Sequence, residues 1–431
     1  MKQIQSPTED FRKVTALIDK EPECFRSLFI LAEKTPYYPW RYVKYHSPDG
    51  VEPDLWWQLL LMTRRMASVD LLVTDRGIPF RFSMPDALQK GLHEIDTGIG
   101  FAIQNDEVFH GLAPERLRTY LQRSQAEEAI SSSQMEGAVT TSVKAREMIA
   151  SGSAPKNESE RMILNNFETM RSLTEWKSEP LSFSLLSRIH SRLTTHILPV
   201  EKQGHLRGNA DQIVVQRHLQ VLHTPPSAEK LRERLERLFE FTNETDSSPF
   251  IHPVAKAMML HFMIGYEHPF CDGNGRTARV LFYWYLLRHE PHYWLLPYLS
   301  ISSVLKEKEW NKSYGQSYLD VENGLFDLTY FLLFQVQVLK EAVDRFHRYV
   351  HQVQQNRRNE AGRLPPGVNR RQIDLLDHLK RNPDAVFTAA GHGLWHNISP
   401  NTARKDLAAL EEMGYLRLVM RGKRMTYIKR K

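Results

Sequence analysis

Two apolar stretches at residues 254–266 and 277–287, separated by a short loop rich in glycine and charge, most constrain what this chain can fold into. Each is apolar on nearly every side, and a helix of that kind is stable only when other elements surround it. The pattern therefore predicts a buried helical pair with a polar loop at its tip. Elsewhere the periodicity is again helical, with apolar residues at helical spacing near 114–121, 129–135, 162–170, 184–193, 228–243 and 326–349. Pro114 suits a first helical turn, and Gly137 suits a helix end. One interruption stands out. Residues 213–215 and 219–222 are short β-branched or apolar runs that read as a hairpin closed by Pro225-Pro226. The expected fold class is mainly α: a helical bundle with a β-hairpin.

Hydrophobic residues make up 41% and charged residues 25%, which excludes a collagen-like or wholly disordered chain. The longest candidate for a membrane span, 326–339, is broken by Asp327, Gln335 and Gln337, so no span and no membrane partner are expected. Residues 1–10 lack the apolar run of a signal peptide, and Cys24 and Cys271 are too few for a disulfide framework. A cytoplasmic location is the expectation. The charge is unevenly spread: residues 363–431 hold 14 Lys/Arg against 6 Asp/Glu, a net of +8, while the rest of the chain nets −2. Such asymmetry marks either an appended module for an anionic partner or a solubilising tail. The first hundred residues read as mixed, mostly helical structure rich in aromatics such as Tyr37, Trp40 and Trp57, with no chemical motif.

The loop and its flanks, His268-Pro269-Phe270-Cys271-Asp272-Gly273-Asn274-Gly275-Arg276-Thr277-Ala278-Arg279, suit phosphate chemistry. Gly273 and Gly275 allow a tight turn and close approach to a ligand. The loop opens a helix, whose free N–H groups and dipole favour an anion. Arg276 and Arg279, three apart, share a helix face on which both can grip phosphate. Asp272 is a hard oxygen ligand suited to Mg²⁺, and His268 can take a proton near neutral pH.

This stretch resembles the signature of the Fic family, His-Pro-Phe-x-(Asp/Glu)-Gly-Asn-Gly-Arg-x-x-Arg, and every fixed position matches. A similar pattern runs from about 113 to 349. The resemblance implies an all-helical domain that transfers AMP from ATP to a Ser, Thr or Tyr hydroxyl of a protein. It implies His268 as the base and Asp272 as the Mg²⁺ ligand. Phe270, Gly273, Asn274 and Gly275 would belong to the nucleotide site, with Asn274 and the loop amides on the α-phosphate. Arg276 would hold the outgoing phosphates and Arg279 the γ-phosphate. Relatives that phosphorylate replace the second glycine with a bulkier basic residue, and Gly275 is retained here. Cys271 occupies the variable position and reads as a spacer.

Upstream, Ser132, Glu136 and Gly137 are similar to the family's inhibitory pattern (Ser/Thr)-x-x-x-Glu-(Gly/Asn), within a helix placed at 124–137. The resemblance implies a salt bridge from Glu136 to Arg279 that blocks the γ-phosphate position. Some relatives use the same glutamate to remove AMP, so the reverse hydrolysis stays open. The hairpin falls where the family has its target-binding flap, with Ile213, Val214 and Val215 on one strand, whose edge could hold a substrate segment. Tyr314 and Tyr318 fall near where relatives pack the adenine.

The basic tail reads as helices at 369–379, 388–394 and 401–413, the last capped by Ser399-Pro400, then two strands around the basic turn 421–424. It resembles a winged helix-turn-helix, which implies DNA or protein contacts. His392 and His396 have metal-pair spacing without an evident third ligand. The expected division is 1–110, a Fic domain at 111–351, a linker at 352–367 and a winged helix at 368–431. The leading expectation is a self-restrained adenylyltransferase using ATP and Mg²⁺, with a homodimer possible. The alternative is a nucleotide-responsive DNA-binding regulator.

Overall fold

The computed structural model describes residues 6–104, 114–211, 213–217, 220–245, 248–289, 293, 295–360, 368–396, 398–421 and 424–430. Four helices open the chain: α1 (Arg12–Lys20), α2 (Pro22–Lys34), α3 (Trp40–Val43) and α4 (Pro53–Met66). Strands β1 (Val69–Val73) and β2 (Pro79–Phe82) then form an antiparallel hairpin turning at Gly77 (φ 74°). Phe80 explains why this hairpin sits where it does. Its fully buried ring meets Tyr266 at 5.1 Å and Phe326 at 5.4 Å, both edge-on, so the N-terminal region shares one apolar core with the later helices.

Next come α5 (Asp86–Gln104), α6 (Pro114–Met135), α7 (Ser142–Ser151), α8 (Glu158–Trp176) and α9 (Phe183–Thr194). Caps set their starts: Thr141, Asn157 and Ser182 each accept a backbone N–H from the first turn of α7, α8 and α9. The two stretches expected at 114–121 and 129–135 are one continuous helix, α6. A hairpin follows, β3 (Val215–Arg217) against β4 (Gln220–His223). It is offset from the expected one: Ile213 and Val214 precede the strand, β4 extends to His223, and Leu219 lies outside the described residues.

The central pair is α11 (Pro253–Glu267) and α12 (Asn274–Arg288), preceded by α10 (Leu231–Asn243). Every residue from Val254 to Ile264 is buried, as the all-round apolar pattern requires. Glu267 ends α11 inside the protein, and Arg234 Nε reaches its two carboxylate oxygens at 3.0 and 2.9 Å. Removing one member of such a pair strands the other charge. Arg234→Met is expected to cost about 3–5 kcal/mol, read as a lowered denaturant midpoint.

α13 (Ile301–Leu305), α14 (Lys308–Asn323) and α15 (Thr329–Glu360) complete the body. α15 continues through residues 352–360, which corrects the linker expected there; 361–367 lie outside the described residues. The C-terminal unit contains α16 (Arg370–Arg381), β5 (Val386–Phe387), α17 (Ala389–His396), α18 (Pro400–Glu412), β6 (Leu416–Arg421) and β7 (Arg424–Lys429). Its three strands are ordered β5-β7-β6, and Leu379, Phe387, Leu407 and Leu410 form its core. Asp406 is the polar hub, accepting from Asn369 at 2.7 Å, Arg371 at 2.6 Å and His392 Nε2 at 3.0 Å. His392 is thus tied to a carboxylate, and among the described residues no group of three or more His, Cys, Asp or Glu side chains could hold a metal. No helix among the described residues is long and apolar enough to cross a membrane.

Candidate active site

α11 ends in a left-handed residue, His268 (φ 46°, ψ 59°), whose N–H still reaches Ile264 O at 3.1 Å. A non-glycine residue in this conformation is unusual and marks a site under constraint. His268 Nδ1 lies 2.8 Å from Gly265 O, so the proton sits on Nδ1 and Nε2 keeps its lone pair. Burial pushes the imidazole below the ordinary 6.5, which leaves it neutral and basic at pH 7.

The loop after His268 is held by groups inside and outside it. Phe270 N–H donates to Asn274 Oδ1 at 2.9 Å, and Asn274 Nδ2 donates to Phe270 O at 2.8 Å. Asn274 is 2% exposed, so its amide closes the loop rather than facing the α-phosphate, which corrects the expectation for that side chain. Phe270 is likewise fully buried and stacked on His190, with ring centroids 3.7 Å apart. It anchors the loop from the interior. His190 accepts the Gly204 N–H at Nδ1 (2.9 Å) and donates from Nε2 to Asp272 O (2.8 Å). Burial lowers its pKa to about 4, which fits a neutral ring with one donor and one acceptor. Arg207 Nε adds a bond to His268 O at 2.8 Å.

α12 begins at Gly273, left-handed at φ 79°, where a Cβ would stand 3.1 Å from Thr194 Cγ2. Arg276 follows in the first turn. It is fully buried, yet only Nη1 is bonded, to Leu193 O at 3.2 Å, while Nε and Nη2 have no hydrogen-bond partner among the described residues. Asp272 Oδ2 is 4.0 Å away. Buried donors are nearly always satisfied, so a guanidinium left this way is waiting for acceptors from outside. Asp272 is itself half-exposed, with Oδ1 taking the Gly273 N–H at 2.6 Å. A hard, accessible carboxylate beside an anion position fits a Mg²⁺ ion that takes its other ligands from phosphate and water.

Arg279, one turn on, is fully engaged. Nε donates to Ser132 Oγ at 2.7 Å, and Nη2 donates to Ser132 O at 3.2 Å and Glu136 Oε1 at 2.7 Å. Burial alone would depress the Arg279 pKa, but Glu136 overrides it and raises it; burial would raise Glu136, and Arg279 holds that carboxyl down instead. Both therefore stay charged. The carboxylate lies against the first turn of α12, where a Cβ on Gly275 would overlap it. Gly275 thus clears the seat that Glu136 takes. Gly137 (φ 100°) only turns the chain out of α6.

α6 is tied down again one turn before Ser132. Glu128 is buried and accepts from Ser300 Oγ at 3.0 Å, Ser302 N at 2.8 Å and Ser302 Oγ at 2.5 Å. Glu128 and Ser132 lie on one stripe of α6, and Glu136 follows in the turn after Met135.

The hairpin is hitched to the same region. His223 Nε2 lies 2.8 Å from Tyr266 O, and Nδ1 lies 2.9 Å from Glu322 Oε1. Burial would lower its pKa, but Glu322 outweighs that and raises it above the ordinary value. Among the described residues β3 pairs with β4 alone, which leaves its other edge open. Tyr314 and Tyr318 stand on α14 beside α11, edge-on at 5.5 Å, with Tyr314 Oη 2.9 Å from His261 Nε2. Burial and Asp211 push the Cys271 thiol up, which suits a spacer better than a nucleophile. His190, Arg207 and Glu128 had no signal in the sequence, being single polar residues far from the loop.

The Fic/DOC family model matches residues 180–286, from α9 through most of α12. Protein adenylyltransferase Fic of Nematostella vectensis is 33% identical over 112 residues, covering 26% of this chain and 24% of that protein. The Drosophila mojavensis protein of the same name is 26% identical over 291 residues, 64% of this chain and 53% of its own. The chain thus spans about half or less of these curated relatives. Among solved structures, a Fic family protein from Desulfovibrio desulfuricans superposes with a TM-score of 0.53 at 19% identity, covering 80% of this chain and 96% of that one. A Caenorhabditis elegans Fic structure gives 0.51 at 19% identity, with 78% and 86% covered. These likenesses are of fold, and they match the helical architecture described above.

Proposed function

We propose that this chain, which carries a Fic domain, transfers AMP from ATP to a Ser, Thr or Tyr hydroxyl of a protein, and that Glu136 restrains the transfer. The observation that carries the reading is Arg276, a buried guanidinium with two nitrogens that have no hydrogen-bond partner among the described residues, set in a helix N-terminus on the loop that follows His268. His268 Nε2 takes the proton of the incoming hydroxyl. The freed oxygen attacks the α-phosphorus; that P–O bond forms as the bond to the β-phosphate oxygen breaks and pyrophosphate leaves. Arg276 holds the departing phosphates, and Arg279 holds the γ-phosphate once Glu136 yields it. Asp272 would hold Mg²⁺, which when bound neutralises phosphate charge. The open edge of β3 offers main-chain bonds to an extended target segment.

The test is labelling by the Glu136→Gly protein with α-³²P or γ-³²P ATP. Protein-bound label from the α-phosphate alone is expected. Label from the γ-phosphate would mean phosphorylation instead, and release of AMP from a pre-labelled target would point to the reverse reaction.

For the C-terminal unit we infer a winged-helix contact with duplex DNA, in which α18 presents the exposed Arg404 and Lys405. Binding that weakens steeply with salt is expected, and a flat salt response would turn the assignment to a protein partner.

A further inference from the structure

The helix that leads into Glu136, α6, belongs to two cores at once. Tyr120, Leu121 and Met135 pack on the main core, which also contains Phe270 and the α11–α12 pair. Ala126, Ala129 and Ile130 belong instead to a second core, with Ala145, Met148 and Ile149 of α7 and Met162, Ile163 and Phe167 of α8. Leu394 and Trp395 of α17, in the C-terminal unit, pack against that second core. Polar ties follow the same seam. Thr119 Oγ1 donates to Asp374 Oδ2 at 3.1 Å, the Arg123 guanidinium stands 5.7 Å from the Trp395 ring centre, and Thr388 Oγ1 donates to Ser151 O at 2.5 Å. The backbones touch as well: a Cβ on Gly391 would overlap the carbonyl oxygen of Ala150.

The placement of these contacts on α6 is what matters. At about 100° per residue, Thr119, Arg123, Ala126 and Ile130 lie on one face of α6 and Glu128 and Ser132 lie roughly opposite, with Glu136 in the turn just after the helix. One face holds Arg279; the other is held by the C-terminal unit. A rigid helix cannot turn or withdraw on one side without disturbing the other. The face toward Arg279 bonds through the Ser132 hydroxyl and the Glu128 carboxylate, so support from behind bears on how firmly it sits.

We propose that the C-terminal unit is the latch of α6: docked on its outer face, it holds Glu136 on Arg279, and loosening it frees the γ-phosphate position. This rests on the reading of Glu136 as a restraint on ATP. By linkage, ATP that displaces Glu136 must weaken the docking of the C-terminal unit by the same factor, so a ligand on that unit and a nucleotide in the site report on one another.

The test uses the full chain with Gly391→Ala, which inserts a methyl between α17 and α7, and independently with Trp395→Ala, each with and without Glu136→Gly. Two quantities are read: label transfer from α-³²P ATP, and affinity for a non-hydrolysable ATP analogue by calorimetry. Each latch variant is expected to raise both by about five-fold or more, the low end of ordinary coupling between sites, and to speed amide exchange in α6. In the Glu136→Gly background the same variants should add nothing, because the restraint is already gone. Equal gains with and without Glu136, or unchanged affinity and unchanged α6 exchange in both variants, would overturn the latch. If Glu136→Gly gives no label from any phosphate, the transfer reading falls, while analogue affinity still decides the latch. Should one variant unfold by circular dichroism, the other carries the comparison.

Discussion

Glu136→Gly is expected to speed AMP transfer by about 10- to 150-fold and to tighten ATP binding by a similar factor. The estimate follows from the bond that ATP must break. Glu136 Oε1 sits 2.7 Å from Arg279 Nη2, in a setting where Arg279 is 2% exposed. A charge-assisted hydrogen bond of that kind contributes about 1.5–3 kcal/mol, and each 1.4 kcal/mol is a factor of ten. On the proposed reading the γ-phosphate competes in the wild type with a carboxylate already in place, and the glycine variant removes that competitor while Arg279 keeps its bonds to Ser132. Single-turnover rates and calorimetry on the two proteins check it, and equal ATP affinities would remove Glu136 from the role. The sign of the pH dependence is also set. Arg279 holds the Glu136 carboxyl below its ordinary range, so the restraint is lost only as pH falls through that lowered value. The ratio between variant and wild type should therefore stay flat from about pH 6 to about pH 8.

The parts of this site that could be read from the sequence are those whose residues are contiguous or share one helix. His268 to Arg279 is an unbroken stretch, and Ser132 and Glu136 are one turn apart on a helix, so local spacing alone groups them. His190 and Arg207 could not be found that way. Each is one polar residue in an ordinary segment, brought to the loop by the packing of α9 and the strap after it. Asn274 shows another limit: the sequence gives an amide in the loop, but not whether it faces a ligand or Phe270, and the fold turns it inward. Element ends were obscured for simpler reasons. Residues 352–360 look like a polar connector, yet Gln, Arg and Glu are good helix formers and no Gly or Pro falls among them. β5 is two residues long, too short for any periodic pattern. α17 forms despite Gly391 and Gly393, because the Thr388 hydroxyl accepts the Gly391 N–H at 3.0 Å and the bare glycine backbone lets the helix rest on α7.

The second large effect belongs to His268. Introduced into the Glu136→Gly protein, His268→Ala is expected to cut AMP transfer by about 10²–10⁴-fold while leaving ATP affinity within about two-fold. The split follows from geometry. The imidazole is held by Gly265 O through Nδ1 and by the left-handed backbone, which leaves Nε2 for the hydroxyl in the proposed reaction, whereas that reading gives the phosphates to Arg276 and the start of α12. Losing the ring removes a proton acceptor and no phosphate contact. Arg276→Ala should show the reverse emphasis, with ATP affinity falling first, because that change removes the two guanidinium nitrogens left without hydrogen bonds among the described residues. The acid limb of the Glu136→Gly pH–rate profile gives an independent check. Burial lowers the His268 pKa, so the neutral base persists to a more acidic pH than a free histidine allows, and the rate should decline only below 6.5. A limb above that value, or one that survives in His268→Ala, would assign the proton transfer to another group. If affinity fell with His268→Ala as steeply as rate, the side chain would be shaping the nucleotide site rather than serving as its base.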